Sequence, residues 1–145
     1  MAVQIALGAA LMLMTIVIGG LSLFVAEGLL DRSRDWLVRE PHRARLLVMT
    51  IGASLWALAM ITTGVWIWAL AFRMLGVFPD LEHAVYFGLV SFTTLGYGDV
   101  LLPAEWRILG GMAAANGLLN FGLMTAVLVE ALRDLRLRQS RLRRM

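Results

Sequence analysis

No cysteine occurs in the 145 residues, so disulfides, thiolate metal sites and thiol catalysis are excluded. Lysine is absent too, and all 13 basic residues are arginine. Charge of either sign is scarce, at 16% of residues against about a quarter in soluble domains. No internal repeat or low-complexity linker is visible. There is no metal-ligand cluster, nucleophile–base pair or phosphate-binding loop, so an enzymatic reading has no support and no cofactor is expected. What the chain has in abundance is apolar surface: 60% hydrophobic residues and a mean hydropathy of +0.79. The sequence pI near 10.5 hints at nucleic acid, but the arginines flank apolar runs and alternate with acids. Arginine at a membrane edge is the better reading.

Three uncharged windows, Ile5–Ala26, Leu46–Phe72 and Ile108–Val129, each exceed the roughly 20 residues a membrane-spanning helix needs. The first reads as a retained helix. It lacks a basic leading region, and Glu27-Gly-Leu-Leu offers no small-residue cleavage site. A fourth apolar piece, Leu81–Phe92, is too short to span, and a re-entrant segment is the physical alternative. Gly76-Val-Phe-Pro79 breaks the chain before it, Asp80 offers an N-cap, and Glu82 sits where the helix dipole favours an anion.

Arginine also predicts orientation. The linker Asp31–Arg45 carries Arg32, Arg34, Arg39, Arg43 and Arg45. The tail carries Arg133, Arg136, Arg138, Arg141, Arg143 and Arg144, whereas Arg73–Arg107 holds only its two ends. Linker and tail are therefore expected in the cytoplasm, with the N-terminus and the Arg73–Arg107 loop outside. Trp66, Trp68 and Trp106 are expected near the outer interface and Trp36 near the inner one, as an aromatic belt.

Between the second and third spans lies Ser91-Phe-Thr-Thr-Leu-Gly-Tyr-Gly-Asp-Val100. A span, a short re-entrant helix, T-T-L-G-Y-G-D and another span together resemble the pore domain of potassium channels, as in small bacterial channels and two-pore channels. The resemblance covers about Leu46 to Leu132. The five fixed positions of T-x-G-Y-G-D would occur by chance in about 1 in 20,000 chains of this length. In that family, loops of this kind replace the ion's water with backbone carbonyls. The chemistry requires such a device, because a bare ion in hydrocarbon costs of order tens of kcal/mol. Carbonyls all turned one way need a backbone that alternates in handedness, and glycine at 96 and 98 supplies left-handed positions without a Cβ clash.

The resemblance implies a potassium-selective channel. Its potassium ligands would come from Thr94, Leu95, Gly96, Tyr97 and Gly98, namely the carbonyls of residues 94–97 plus the Thr94 hydroxyl. Thr93, Asp99, Phe87, Val90, Ser91 and Glu105 would support the filter and form the outer mouth, with Tyr97 as a spacer against the pore helix. One strip cannot surround an ion, so a homotetramer in a lipid bilayer is implied. The fold expected is all-α: three transmembrane helices, a re-entrant pore helix and a filter loop. Its parts are an added first helix over 1–30, a linker over 31–45, a pore domain over 46–132 and a basic tail over 133–145. The pore domain divides into outer helix 46–75, pore helix 80–92, filter 93–99 and inner helix 106–132.

Several residues carry two readings. By the resemblance Gly117 is a gating hinge, with Leu118, Phe121 and Thr125 facing the central cavity; Gly117 could equally serve close helix packing, and packing is favoured for Gly122. Asn116 and Asn120, four apart on one helix face, border the cavity or bond a neighbouring subunit, the second being favoured. His83 could sense external pH, though a solvated histidine is the commoner case. His42 is read as a linker residue, and Glu27 and Glu130 as partners of nearby arginines, with a part in the inner mouth as the second reading for Glu130.

Two features depart from the family. Where Phe87 stands, many relatives carry a tryptophan whose N–H ties down the filter aspartate, and some have a glutamate at the Val90 position. Phenylalanine and valine offer neither donor nor acceptor, so Asp99 is expected to be unbraced and the filter loose, unless Glu105 or Arg107 takes over; Ser91 can still meet the Tyr97 hydroxyl. The added first helix has no arginine within its span and cannot be a voltage sensor. A rival reading from another class is a non-conducting membrane subunit or scaffold that keeps a channel-like pore.

Overall fold

The computed structural model describes residues 1–32 and 42–142. Arg34, Trp36, Arg39, Arg143 and Arg144 lie outside these residues, as do the side chains of Glu27, His42, Arg43, Arg45, Arg136, Arg138 and Arg141. Among the described residues four α-helices follow in chain order: α1 (Ala2–Arg32), α2 (His42–Met74), α3 (Leu81–Phe92) and α4 (Arg107–Leu142), with a 3-10 turn at Ala104–Trp106. No strand occurs among the described residues. Three of the helices are long and apolar enough to cross a membrane, over Ala2–Ala26, Leu47–Met74 and Ala104–Glu130.

The helix limits revise the sequence boundaries. α1 and α2 take in Arg32 and His42, so both ends of the expected linker are helical. α4 continues without a break to Leu142, through most positions of the expected tail. The sequence from Ala131 to Leu142 contains neither proline nor glycine, so nothing in it stops a helix.

Local chemistry explains the short helix. α2 ends in a Schellman motif: the Gly76 N–H donates to Arg73 O at 3.2 Å and the Val77 N–H to Phe72 O at 3.0 Å. Gly76 takes φ 68°, the left-handed position where glycine has no Cβ penalty. Asp80 then caps α3, its carboxylate accepting the His83 N–H at 2.8 Å.

Packing fixes the direction of α3. Phe87 stacks edge-on against Phe72 at 5.3 Å, and a Cβ on Gly64 would lie 2.7 Å from the Phe92 ring. α3 thus runs antiparallel to α2. On its other side Phe87 approaches Gly110 and Phe92 approaches Gly117, so it runs parallel to the first half of α4. The chain then returns to Ala104, anchored by buried Leu102. The core draws Val65, Trp68, Ala69 and Phe72 from α2, Ala84 and Phe92 from α3, and Leu109 and Ala113 from α4. Trp68 is 0% exposed and packs on Phe72 at 5.9 Å. It is a core residue and does not join an aromatic belt, because two residues along α2 from Trp66 the helix has turned by about 200°. Trp66 stays 43% exposed.

α1 lies along α4. Gln4 meets Leu109, Gly8 meets Met112, Thr15 meets Asn116 and Gly19 meets Met124. Residue numbers rise together in these pairs, so the two helices are parallel.

Candidate functional site

The segment after α3 begins as a helix end. The Thr94 N–H donates to Ser91 O at 2.9 Å and the Leu95 N–H to Val90 O at 3.0 Å. This is a second Schellman motif, with Thr94 where glycine normally stands. Thr94 takes φ 58° and is the one non-glycine residue with positive φ among those described. A left-handed backbone with a Cβ costs about 1–2 kcal/mol, so threonine is held there by its surroundings. Gly96 (φ 57°) and Gly98 (φ 75°) continue the pattern. The backbone is therefore left-handed at every second residue from 94 to 98. Sequence reasoning placed left-handed backbone at the two glycines and named Thr94 only as a ligand, missing its left-handed backbone; the signal was the helix end itself, where a left-handed residue is common.

Both ends of this loop are fixed and its middle is open. Phe92 is 0% and Leu102 6% exposed, whereas residues 93–99 are all exposed in the single chain. Thr93 turns back to the helix, its hydroxyl donating to Leu89 O at 2.8 Å. Tyr97 is 70% exposed, and among the described residues its hydroxyl makes no bond to Ser91 within the single chain.

Asp99 is braced, and this corrects the expectation of a loose carboxylate. The Tyr86 hydroxyl donates to Asp99 Oδ2 at 2.5 Å. The bond holds the Asp99 carboxyl below its ordinary value and pushes the Tyr86 phenol up. Phe87 points elsewhere, onto Phe72 and Phe78. One residue rotates a helix by about 100°, which sends Phe87 into the core and Tyr86 toward the loop. Glu105 is exposed in the 3-10 turn beyond.

Four residue readings on α4 resolve differently. A Cβ on Gly117 would collide with the backbone carbonyl of Phe92, so close packing requires glycine there. A Cβ on Gly122 would have nothing within 4 Å in the chain, and packing within the subunit does not explain it. Asn116 and Asn120 bond to each other inside the chain: Asn120 Nδ2 donates to Asn116 O at 2.8 Å and to Asn116 Oδ1 at 3.0 Å, and the one proton of the Thr15 hydroxyl is shared between Met12 O at 2.8 Å and Asn116 Oδ1 at 3.0 Å. Leu118, Phe121 and Thr125 share an exposed face, with the Thr125 hydroxyl bonded back to Phe121 O at 2.8 Å. Glu130 pairs with Arg133 at 3.5 Å, as expected.

His83 is not simply solvated. Its Nδ1 lies 2.8 Å from both Asp80 carboxylate oxygens, and bonding to Asp80 raises its pKa above 6.5. The His83 N–H, followed by its ring, holds Asp80 below 3.8. A raised histidine contributes fully below its unfolded value and loses that as pH rises through the raised one; a lowered aspartate loses its contribution as pH falls through the lowered one. The pair is therefore complete between pH 3.8 and 6.5. Asp80→Asn should return the His83 pKa toward its ordinary value while keeping the N-cap oxygen. Imidazole NMR titration of lipid-reconstituted protein, with His42 replaced for assignment, checks this; an unchanged His83 titration contradicts the pairing.

The profile of a family described as an ion channel matches residues 60–134, just over half of the chain. The match runs from the middle of α2 through the α3 loop and most of α4. No curated protein and no solved structure matches the chain.

Proposed function

The chain belongs to the ion-channel family, and on that premise we propose that it is a potassium-selective channel whose filter is Thr93–Asp99. One observation carries the reading: left-handed backbone at Thr94, Gly96 and Gly98. Alternating handedness turns successive carbonyls to one side, the arrangement that replaces a cation's hydration shell. The carbonyls of residues 94–97 and the Thr94 hydroxyl are the proposed ligands. That hydroxyl gives a reason for a threonine where helix capping favours glycine.

In this reading residues 46–132 form the pore domain and α3 is a re-entrant pore helix. Four subunits surround the ion path, and the exposed loop 93–99 meets its symmetry mates there. Leu118, Phe121 and Thr125 face the cavity, and rings of Asp99 and Glu105 concentrate cations at the outer mouth. The arginine distribution supports a cytoplasmic C-terminus. A cysteine at Ala2 should then react with an impermeant thiol reagent outside intact cells and one at Ser140 should not; the reverse labelling overturns the orientation.

Recording purified protein in planar bilayers, with potassium on one side and sodium on the other, tests the function. A current reversing near the potassium equilibrium potential is expected. Reversal near zero, or no current, favours a non-selective pore or a non-conducting scaffold. Tyr86→Phe removes the brace on Asp99 and should shorten open bursts, most at low external potassium, where fewer bound ions oppose filter collapse by mass action. Burst lengths equal to wild type at low and high potassium would show that the brace does not steady the filter.

A further inference from the structure

The first helix has no part in the filter, yet it carries two of the buried polar side chains, Gln4 and Thr15. Gln4 Oε1 accepts the Leu109 N–H at 3.4 Å near the start of α4. Thr15 stands near the middle of the span Ala2–Ala26, and Asn116 near the middle of Ala104–Glu130. Their bond therefore lies at the depth where water competes least. The hydroxyl of Thr15 is within reach of Met12 O at 2.8 Å and of Asn116 Oδ1 at 3.0 Å.

Asn116 directly precedes Gly117, whose Cα abuts the end of α3. Asn120 sits one turn below, and its amide donates to the Asn116 carbonyl. If α4 bends in this turn, main-chain bonds open, and the Asn120 side chain still supplies a donor to that carbonyl. Side chains of this kind are what make broken helices tolerable in membranes. Asn116 Nδ2 is buried with no hydrogen-bond partner among the described residues. The latched arrangement thus leaves one donor unmet, and a rearranged helix can offset the loss of the Thr15 bond by pairing it.

Direction follows from the helical wheel. At about 100° per residue, the α1-facing positions Leu109, Met112, Asn116 and Met124 lie roughly 150° from the face of Leu118, Phe121 and Thr125. α1 stands behind α4, and outward movement of the lower half of α4 runs against it.

We propose that Thr15 and Asn116 are positioning residues: the first helix latches the inner helix at Asn116 and opposes the bend that widens the inner pore. This rests on the channel reading, and the test separates the two. Thr15→Val keeps the shape and removes the hydroxyl. Its ratio of open to closed time in bilayer recordings should rise roughly threefold per subunit, the weight of a typical interhelical hydrogen bond in a membrane. Single-channel current and potassium selectivity should not change, and Thr15→Ser should behave as wild type. Gating of Thr15→Val equal to wild type overturns the latch, as does a Thr15→Ser shift as large as that of valine. If wild type carries no current, the channel reading fails, and a nitroxide at Val129 in liposomes judges the latch alone. Greater nitroxide mobility in Thr15→Val supports it, and equal mobility overturns it.

Discussion

Gly98→Ala abolishes potassium-selective current, and Gly96→Ala does so to a comparable degree. Neither effect comes from crowding, since a Cβ at either position meets nothing within 4 Å in the chain. The obstacle is the backbone itself, at φ 57° for Gly96 and 75° for Gly98. An L-residue there costs about 1–2 kcal/mol in each chain. Thr94 tolerates the same conformation because the Leu95 and Gly96 N–H groups both donate to Val90 O, at 3.0 and 3.2 Å. No backbone bond of that kind holds Tyr97, Gly98 or Asp99 among the described residues. The released peptide turns, and a carbonyl leaves the ion path. The reversal potential between potassium and sodium measures the outcome, with native gel mobility confirming assembly. Unchanged selectivity in both variants would remove residues 94–98 as the filter.

Gly117→Ala prevents stable assembly, a larger effect than a change in gating. Its Cβ would strike the Phe92 carbonyl, which is backbone and cannot rotate away as a flexible side chain can. Phe92 has no retreat, because on the α2 side its ring already abuts Gly64. Overpacking of this kind costs about 1–3 kcal/mol or more per site, and it acts where α3 hands over to the loop. The expected result is a marked fall in the thermal dissociation midpoint of the oligomer and loss of current. Gly122→Ala is the control and should assemble normally. A Gly117→Ala oligomer with the wild-type midpoint and altered open time would make Gly117 a hinge and not a packing residue.

Composition and order along the chain determined a good deal. The long uncharged windows are long enough for membrane helices, and hydrocarbon leaves a spanning helix only its own backbone to satisfy its polar groups. Pro79 with Asp80 marked the start of α3, and Gly96 and Gly98 marked left-handed backbone, since both signals are local in sequence. Tertiary structure decided whatever depends on which way a side chain turns. The brace on Asp99 comes from Tyr86 and not from the Phe87 position, a difference of about 100° around a helix that a motif match cannot see. Trp68 went to the core and Trp66 to the surface for the same reason. The left-handed Thr94 follows from how α3 ends, and the need for glycine at 117 from how closely α3 approaches α4. The Thr15–Asn116 bond joins residues 101 apart in sequence, and only the parallel packing of α1 on α4 brings them together. Polar groups in an apolar interior bond whatever packing puts within reach, and no spacing along the chain encodes that choice.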